Sequence, residues 1–198
     1  MQQSLHSVRR SPRQWRINLS DSSHTASCHA LPRATKRLNL RRATELDAGF
    51  MLKLLSEPSW RRFISQHDVD SIAAAGVYLQ ERIIKGYDSG LGFWLVELKE
   101  SQTPIGICGL VDRDYLEQTD LGFAFLEAFW GQGLAAESAR SVIDFAATQL
   151  AKDALLAITV PENKSSIQLL AKLGFKFGRN TVNPNDEAIA IYELRLEA

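Results

Sequence analysis

Apolar and polar positions along the chain change period several times, and each change marks an element. Residues Leu38–Arg41 alternate and predict a short first strand. Thr44 followed by Asp47 resembles a capping box with Asp in place of the usual Glu. It opens a predicted helix whose Leu46, Phe50 and Leu54 recur at helical spacing, and Pro58 is expected to end it. A second helix is predicted over residues 68–85, with Ile72, Ala75, Leu79, Arg82 and Ile83 along one side. Gly86 and Gly90 mark a loop.

The pattern then shortens to strand-length runs. Residues 93–98 and 104–111 are separated by polar residues 99–103 and predict an antiparallel hairpin. A polar connection leads to a third run, 121–126, and then to a loop holding Gly131 and Gly133. Residues 134–151 predict a long helix with Ala135, Ser138, Ala139, Val142, Phe145 and Ala146 toward the core. Residues 155–160 are strongly apolar, the pattern of a strand buried in parallel pairing. A helix over 163–173, capped by Gly174, precedes two last strands at 175–178 and 187–196. The order β-α-α-β-β-β-α-β-α-β-β predicts one α/β domain over residues 38–198. Its mixed, mostly antiparallel sheet has about six to seven strands flanked by about four helices.

Composition narrows the class. Hydrophobic residues make up 45% and charged residues 23%, ordinary for a soluble domain, and no apolar run approaches the ~20 residues of a membrane span. Net charge is zero but uneven: residues 1–37 carry Arg9, Arg10, Arg13, Arg16, Arg33, Lys36 and Arg37 against Asp21 alone. Residues 38–198 keep 16 of the 23 bases and 22 of the 23 acids, a net of −6. An acidic body disfavours a nucleic-acid partner, because phosphate binding needs clustered Lys and Arg, and suits a cationic amine. Residues 1–37 show no sustained period and read as a disordered or loosely attached extension; their profile is also that of an organellar transit peptide. Cys28 and Cys108 form neither a disulfide framework nor a zinc spacing, which fits a reducing, cytoplasmic compartment and no metal.

The glycine loop carries the chemistry. A helix start leaves its first N–H groups unpaired, and glycines let an anion approach them closely. No Lys–Ser/Thr pair follows, so this is not a magnesium-binding Walker loop. Residues Gly131 to Ala136 match the dinucleotide fingerprint G-x-G-x-x-A. Against that reading, four residues separate strand from loop, the acid Asp153 precedes the next strand, and too little chain remains for a doubly wound sheet. Glycines that only make a turn are the remaining alternative.

From Asp120 through Leu126, and on through Phe129, Trp130 and the loop to Glu137, the sequence resembles the GNAT acetyltransferases. Within them it is similar to the RimJ/RimL-like branch of ribosomal-protein N-terminal acetyltransferases. Asn163 to Ser166, followed by Leu169 to Phe175, resembles the family's second signature, N-x-x-S…L-x-K-x-G-F. The resemblance spans about residues 38–196. The family's loop often opens with Arg or Gln where this chain has Trp130, which is common in the RimJ/RimL-like branch. Phosphate affinity then rests more on backbone amides and Gln132.

The resemblance implies the GNAT fold, with the sheet splayed into a V between strands 121–126 and 155–160 and acetyl-CoA in the gap. It implies that the backbone of Phe125 and Leu126 pairs with the pantetheine arm like an added strand. Amides of Gly131, Gln132, Gly133, Leu134, Ala135 and Ala136 would hold the pyrophosphate, and Asn163 would contact the cofactor arm or cap its helix. It implies direct transfer to an amine, small molecule or protein N-terminus, by a monomer or homodimer, with no nucleophilic cysteine.

Such transfer needs a proton acceptor, a donor to the carbonyl and a donor to the leaving sulfur. Asp120 is the first candidate acceptor and Glu97 the second, each also readable as a solvated carboxylate, and a water chain is a third route. A main-chain N–H near Phe125 or Leu126 would polarise the carbonyl. Ser166 would serve the sulfur, or bond back to its own helix; Tyr192 is its rival. Trp60, Phe63, Tyr87, Phe93 and Trp94 either shape the acceptor pocket or fill the core. A non-catalytic acetyl-CoA sensor on the same fold is the alternative function.

Overall fold

Seven strands form a single sheet in the order β1-β2-β3-β4-β5-β7-β6 in the computed structural model, which describes residues 30–65 and 69–196. The strands are β1 (Leu38–Arg41), β2 (Gly92–Leu98), β3 (Pro104–Val111), β4 (Asp120–Phe125), β5 (Ala154–Thr159), β6 (Lys176–Val182) and β7 (Ala188–Arg195). The helices are α1 (Ala48–Leu55), α2 (Pro58–Phe63), α3 (Ile72–Arg82), α4 (Leu134–Gln149) and α5 (Lys164–Lys172). Every neighbouring pair is antiparallel except β4 and β5, which run parallel on either side of the α4 crossover. This is the mixed, mostly antiparallel sheet expected from the pattern.

The expected first helix is two helices. Ser56 closes α1, and Pro58 opens α2 after Glu57, where its missing N–H costs nothing. Leu46 is 95% exposed, because Glu45–Asp47 form a tight turn behind the Thr44–Asp47 capping box and the buried stripe starts later, with Met51, Leu54 and Leu55. The second expected helix begins at Ile72, capped by the Ser71 hydroxyl, and gives way after Arg82 to the tight turns of Ile84–Ser89; its expected start at residue 68 lies outside the described residues. β6 runs on to Val182, held by β7 rather than by apolarity, since all its residues are exposed.

α4 covers one face of the sheet. Its Phe145 meets Trp94 edge to face at 5.3 Å, and Ser138 and Val142 are buried with it. Residues 33–37, expected in a loose extension, are fastened to α4: the Ser141 hydroxyl donates to the Arg33 carbonyl at 2.5 Å, and Arg37 pairs with Glu137 at 2.7 Å. The expectation for residues 1–29, and Cys28 with it, lies outside the described residues. Among the described residues no helix is long and apolar enough to cross a membrane.

Candidate active site

β4 and β5 meet and then part. Their ladder contains the single pair Asp120–Leu156, whereas β3 and β4 are matched from Val111–Asp120 to Gly106–Phe125. Two hydrogen bonds fix which backbone groups face the gap. Leu126 N–H donates to the Ile105 carbonyl at 3.0 Å, toward β3, and Leu156 N–H donates to the Thr119 carbonyl at 2.9 Å, across to β5. Backbone groups alternate edges along a strand. Asp120, Gly122 and Ala124 therefore turn theirs to β3, while Leu121, Phe123 and Phe125 turn theirs to the gap. Above Leu121 the gap side has no ladder, so Phe123 offers an N–H and a C=O there and Phe125 an N–H. The Phe125 carbonyl already accepts from the Trp130 indole N–H at 2.8 Å.

This alters one expected contact. Leu126 donates its N–H to Ile105, so that N–H is not available to a pantetheine arm, and its carbonyl accepts from the Phe129 N–H at 2.9 Å. Phe123 stands with Phe125 on the gap edge of β4. Strand alternation is the signal that finds it, once one hydrogen bond sets the phase.

The wedge opens toward the glycine loop. Gly131 and Gly133 adopt φ of +73° and +75°, a left-handed turn that favours glycine. A Cβ on Gly131 would meet nothing within 4 Å, and one on Gly133 only Nη2 of Arg37 at 3.7 Å. The buried Leu134 anchors the first turn of α4, where the N–H groups of Leu134, Ala135 and Ala136 have no partner within the helix. The Gln132 amide braces the loop by donating to the Ala128 carbonyl at 3.1 Å. The loop residues expected to bind an anion are thus collected on one open surface at a positive helix end.

Asp120 stands at the foot of the wedge and is 1% exposed. Its Oδ2 accepts from Nε of Arg113 at 2.8 Å, and its buried Oδ1 has no hydrogen-bond partner among the described residues. Burial raises its pKa; the Arg113 charge and hydrogen bond, and the nearby Ile158 N–H, only partly oppose this. Arg113, which sequence reasoning did not single out, lies in the polar connection between β3 and β4. On the far side of the gap, Asn163 caps α5: its Oδ1 accepts from the Ser166 N–H at 3.1 Å and the Ser165 hydroxyl at 2.8 Å. The Ser166 hydroxyl makes no hydrogen bond among the described residues, so it does not bond back to its helix.

The acetyltransferase (GNAT) domain family matches residues 37–176. The chain belongs to the GNAT acetyltransferases. As a member it is an acyltransferase, and acetyl-CoA is the acyl donor of the family. It is 29% identical over 162 residues to "Uncharacterized protein YkkB" of Bacillus subtilis (strain 168), covering 80% of this chain and 92% of that one. An acetyltransferase crystal structure from Agrobacterium tumefaciens str. C58 superposes with a TM-score of 0.71 at 22% identity, covering 92% of this chain and 100% of that one. RimL, a ribosomal L7/L12 alpha-N-protein acetyltransferase solved with coenzyme A, superposes with a TM-score of 0.71 at 16% identity, covering 83% and 97%.

The wedge of this GNAT domain fits such a donor: it pairs unladdered strand groups with a bare-glycine helix start. Its thiol is elsewhere. Cys108 is buried under α4, where burial pushes its pKa up to about 12 against the Ser138 hydroxyl and the Gly109 N–H. Glu97 holds Arg41 at 2.9 Å in a network with Asp47, away from the gap. Tyr192 is buried beside Phe177. Trp60, Tyr87 and Trp94 are core residues; the Tyr87 hydroxyl donates to the Phe93 carbonyl at 2.6 Å and accepts from the Ala43 N–H at 2.9 Å. Phe63 is half-buried beneath Arg62. Phe93 is different: its ring lies over Gly122, where a Cβ would come within 2.7 Å, so it walls the middle of β4.

Proposed function

We propose that the protein is an N-acetyltransferase of the RimJ/RimL-like branch that acetylates a primary amine, on a protein N-terminus or a small molecule, by direct attack in a ternary complex. One observation carries this reading: the same strand, β4, has unladdered backbone groups beside β5 and runs into a loop of bare glycines at a helix start. Acetyl-CoA supplies an activated acyl group there. The N–H groups of Phe123 and Phe125 pair with the donor's arm, and one of them polarises the reacting carbonyl. The amide row from Gly131 to Ala136 receives the diphosphate. Likeness to a ribosomal-protein alpha-N-acetyltransferase supports the branch and a protein N-terminus as acceptor.

The amine attacks as its neutral form, a C–N bond forms, the C–S bond breaks, and one proton leaves the nitrogen. Asp120 takes that proton, directly or through water. Its unpartnered Oδ1 and its pKa, raised by burial, suit a proton acceptor. The unengaged Ser166 hydroxyl donates to the departing sulfur. A thiol-release assay over peptides with free N-termini, polyamines and amino acids tests the proposal, with acetylated products read by mass spectrometry. Turnover with at least one class is expected, falling about 100- to 10,000-fold in kcat in Asp120→Asn. Binding of acetyl-CoA with no turnover on any amine would overturn it.

A further inference from the structure

We infer that Arg37 is a ligand of the donor's diphosphate, a role that rests on the acetyl-CoA reading above. Arg37 lies just before β1 and reaches across to the start of α4, 95 residues away from Gln132 in sequence. Its Nη1 donates to the Gln132 carbonyl at 3.0 Å and its Nε to Oε2 of Glu137 at 2.7 Å. The guanidinium is a rigid planar fork, so fixing two nitrogens fixes the third. That third nitrogen, Nη2, makes no hydrogen bond among the described residues and stands 3.7 Å from where a Cβ of Gly133 would be. It points over the bare residue that opens α4. The side chain is 46% exposed, so an incoming anion can reach it.

Glu137 explains why the arginine is needed. A carboxylate in the first turn of α4 sits beside the anion socket and would repel a phosphate. Burial pushes its pKa up, but the Thr35 hydroxyl, the Arg37 N–H and the Arg37 guanidinium outweigh this, so Glu137 stays ionised. Arg37 cancels that charge while keeping a free donor. The Thr35 hydroxyl and the Arg37 N–H close on Oε1 of Glu137 at 2.5 and 2.8 Å, which holds the segment in place. The cation missing from the loop at Trp130 is thereby supplied from another part of the chain.

Calorimetric titration of the whole chain with coenzyme A, dephospho-coenzyme A and acetyl-pantetheine tests this. Arg37→Gln is expected to weaken coenzyme A about 10- to 100-fold, the size of a lost charge-assisted contact. Dephospho-coenzyme A, which keeps the diphosphate, should weaken by the same factor, and acetyl-pantetheine, which has none, by less than about twofold. In a Glu137→Gln background Arg37→Gln should still cost about tenfold, since Arg37 does more than neutralise Glu137. Equal binding by Arg37→Gln and wild type, a loss confined to coenzyme A, or no further loss in the Glu137→Gln background would each overturn the inference. If Arg37→Gln does not fold, Arg37→Lys carries the same comparison, with a smaller loss for both diphosphate ligands and none for acetyl-pantetheine. Wild-type protein that binds none of the three ligands would instead remove the acetyl-CoA reading itself.

Discussion

The two edges of β4 belong to one strand and have opposite fates. Toward β3 the strand is zipped along its length, with Gly106 packed so tightly that a Cβ there would come within 2.5 Å of the Ala124 carbonyl oxygen. Toward β5 it holds one pair and lets go. One side chain helps keep it open: the Trp130 indole N–H donates to the Phe125 carbonyl on the gap edge. A sheet edge left unpaired inside a domain is costly, because strand N–H and C=O groups need partners. The difference teaches that β4 is laddered for structure on one edge and keeps unladdered backbone groups, the ones the proposed function uses, on the other.

Substitutions by proline read the two edges separately, because the N–H that proline removes faces only one of them. The largest effect is expected from Ala124→Pro, which deletes a donor facing β3: a loss of about 3 kcal/mol or more, seen as a collapse of the denaturation midpoint. Gly133→Glu comes next. It places a carboxylate in the anion socket and a Cβ on a residue at φ +75°, so coenzyme A affinity should fall more than about 100-fold while stability falls by only about 1 kcal/mol. Phe123→Pro deletes a donor facing the gap. Compared with Phe123→Ala, which removes the same half-buried ring, it should lose little further stability and bind coenzyme A about tenfold more weakly, the worth of one hydrogen bond, and a further loss of fold equal to that of Ala124→Pro would end the distinction between the edges.

The smallest effect separates the foot of the wedge from an ordinary ion pair. Burial raises the Asp120 pKa, so the folded state holds the proton more tightly than the unfolded chain does. Its contribution is therefore greatest below the ordinary carboxylate value, and stability declines as pH climbs from there through the raised pKa. Asp47 has the opposite sign. Burial opposes its charge, but the Arg41 hydrogen bond, the Thr44 N–H and the Arg41 charge lower its pKa overall. Its contribution is present above the ordinary carboxylate range and is lost as pH falls below it. Denaturation midpoints across pH should lose the first slope in Asp120→Asn and the second in Asp47→Asn; a shared sign would break the contrast.

The sequence by itself determined the elements and the loop. Strand-length runs marked β2, β3 and β4, the apolar run 155–160 marked the buried parallel strand, and Gly131 and Gly133 marked the loop that opens α4, because these depend on local chemistry. Pro58 misled, since proline both ends helices and begins them, and only the cap at Glu57 settles which. Tertiary structure alone decided three things. It brought Arg113 to Asp120 and Arg37 to Glu137 and Gln132, contacts that no local pattern encodes. It set the phase of β4, which gave the gap to Phe123 and closed Leu126. It also sent Trp94 under α4 and the Phe93 ring over Gly122, on opposite faces of one strand: which face a helix covers is fixed by the neighbours a strand acquires, not by its own residues.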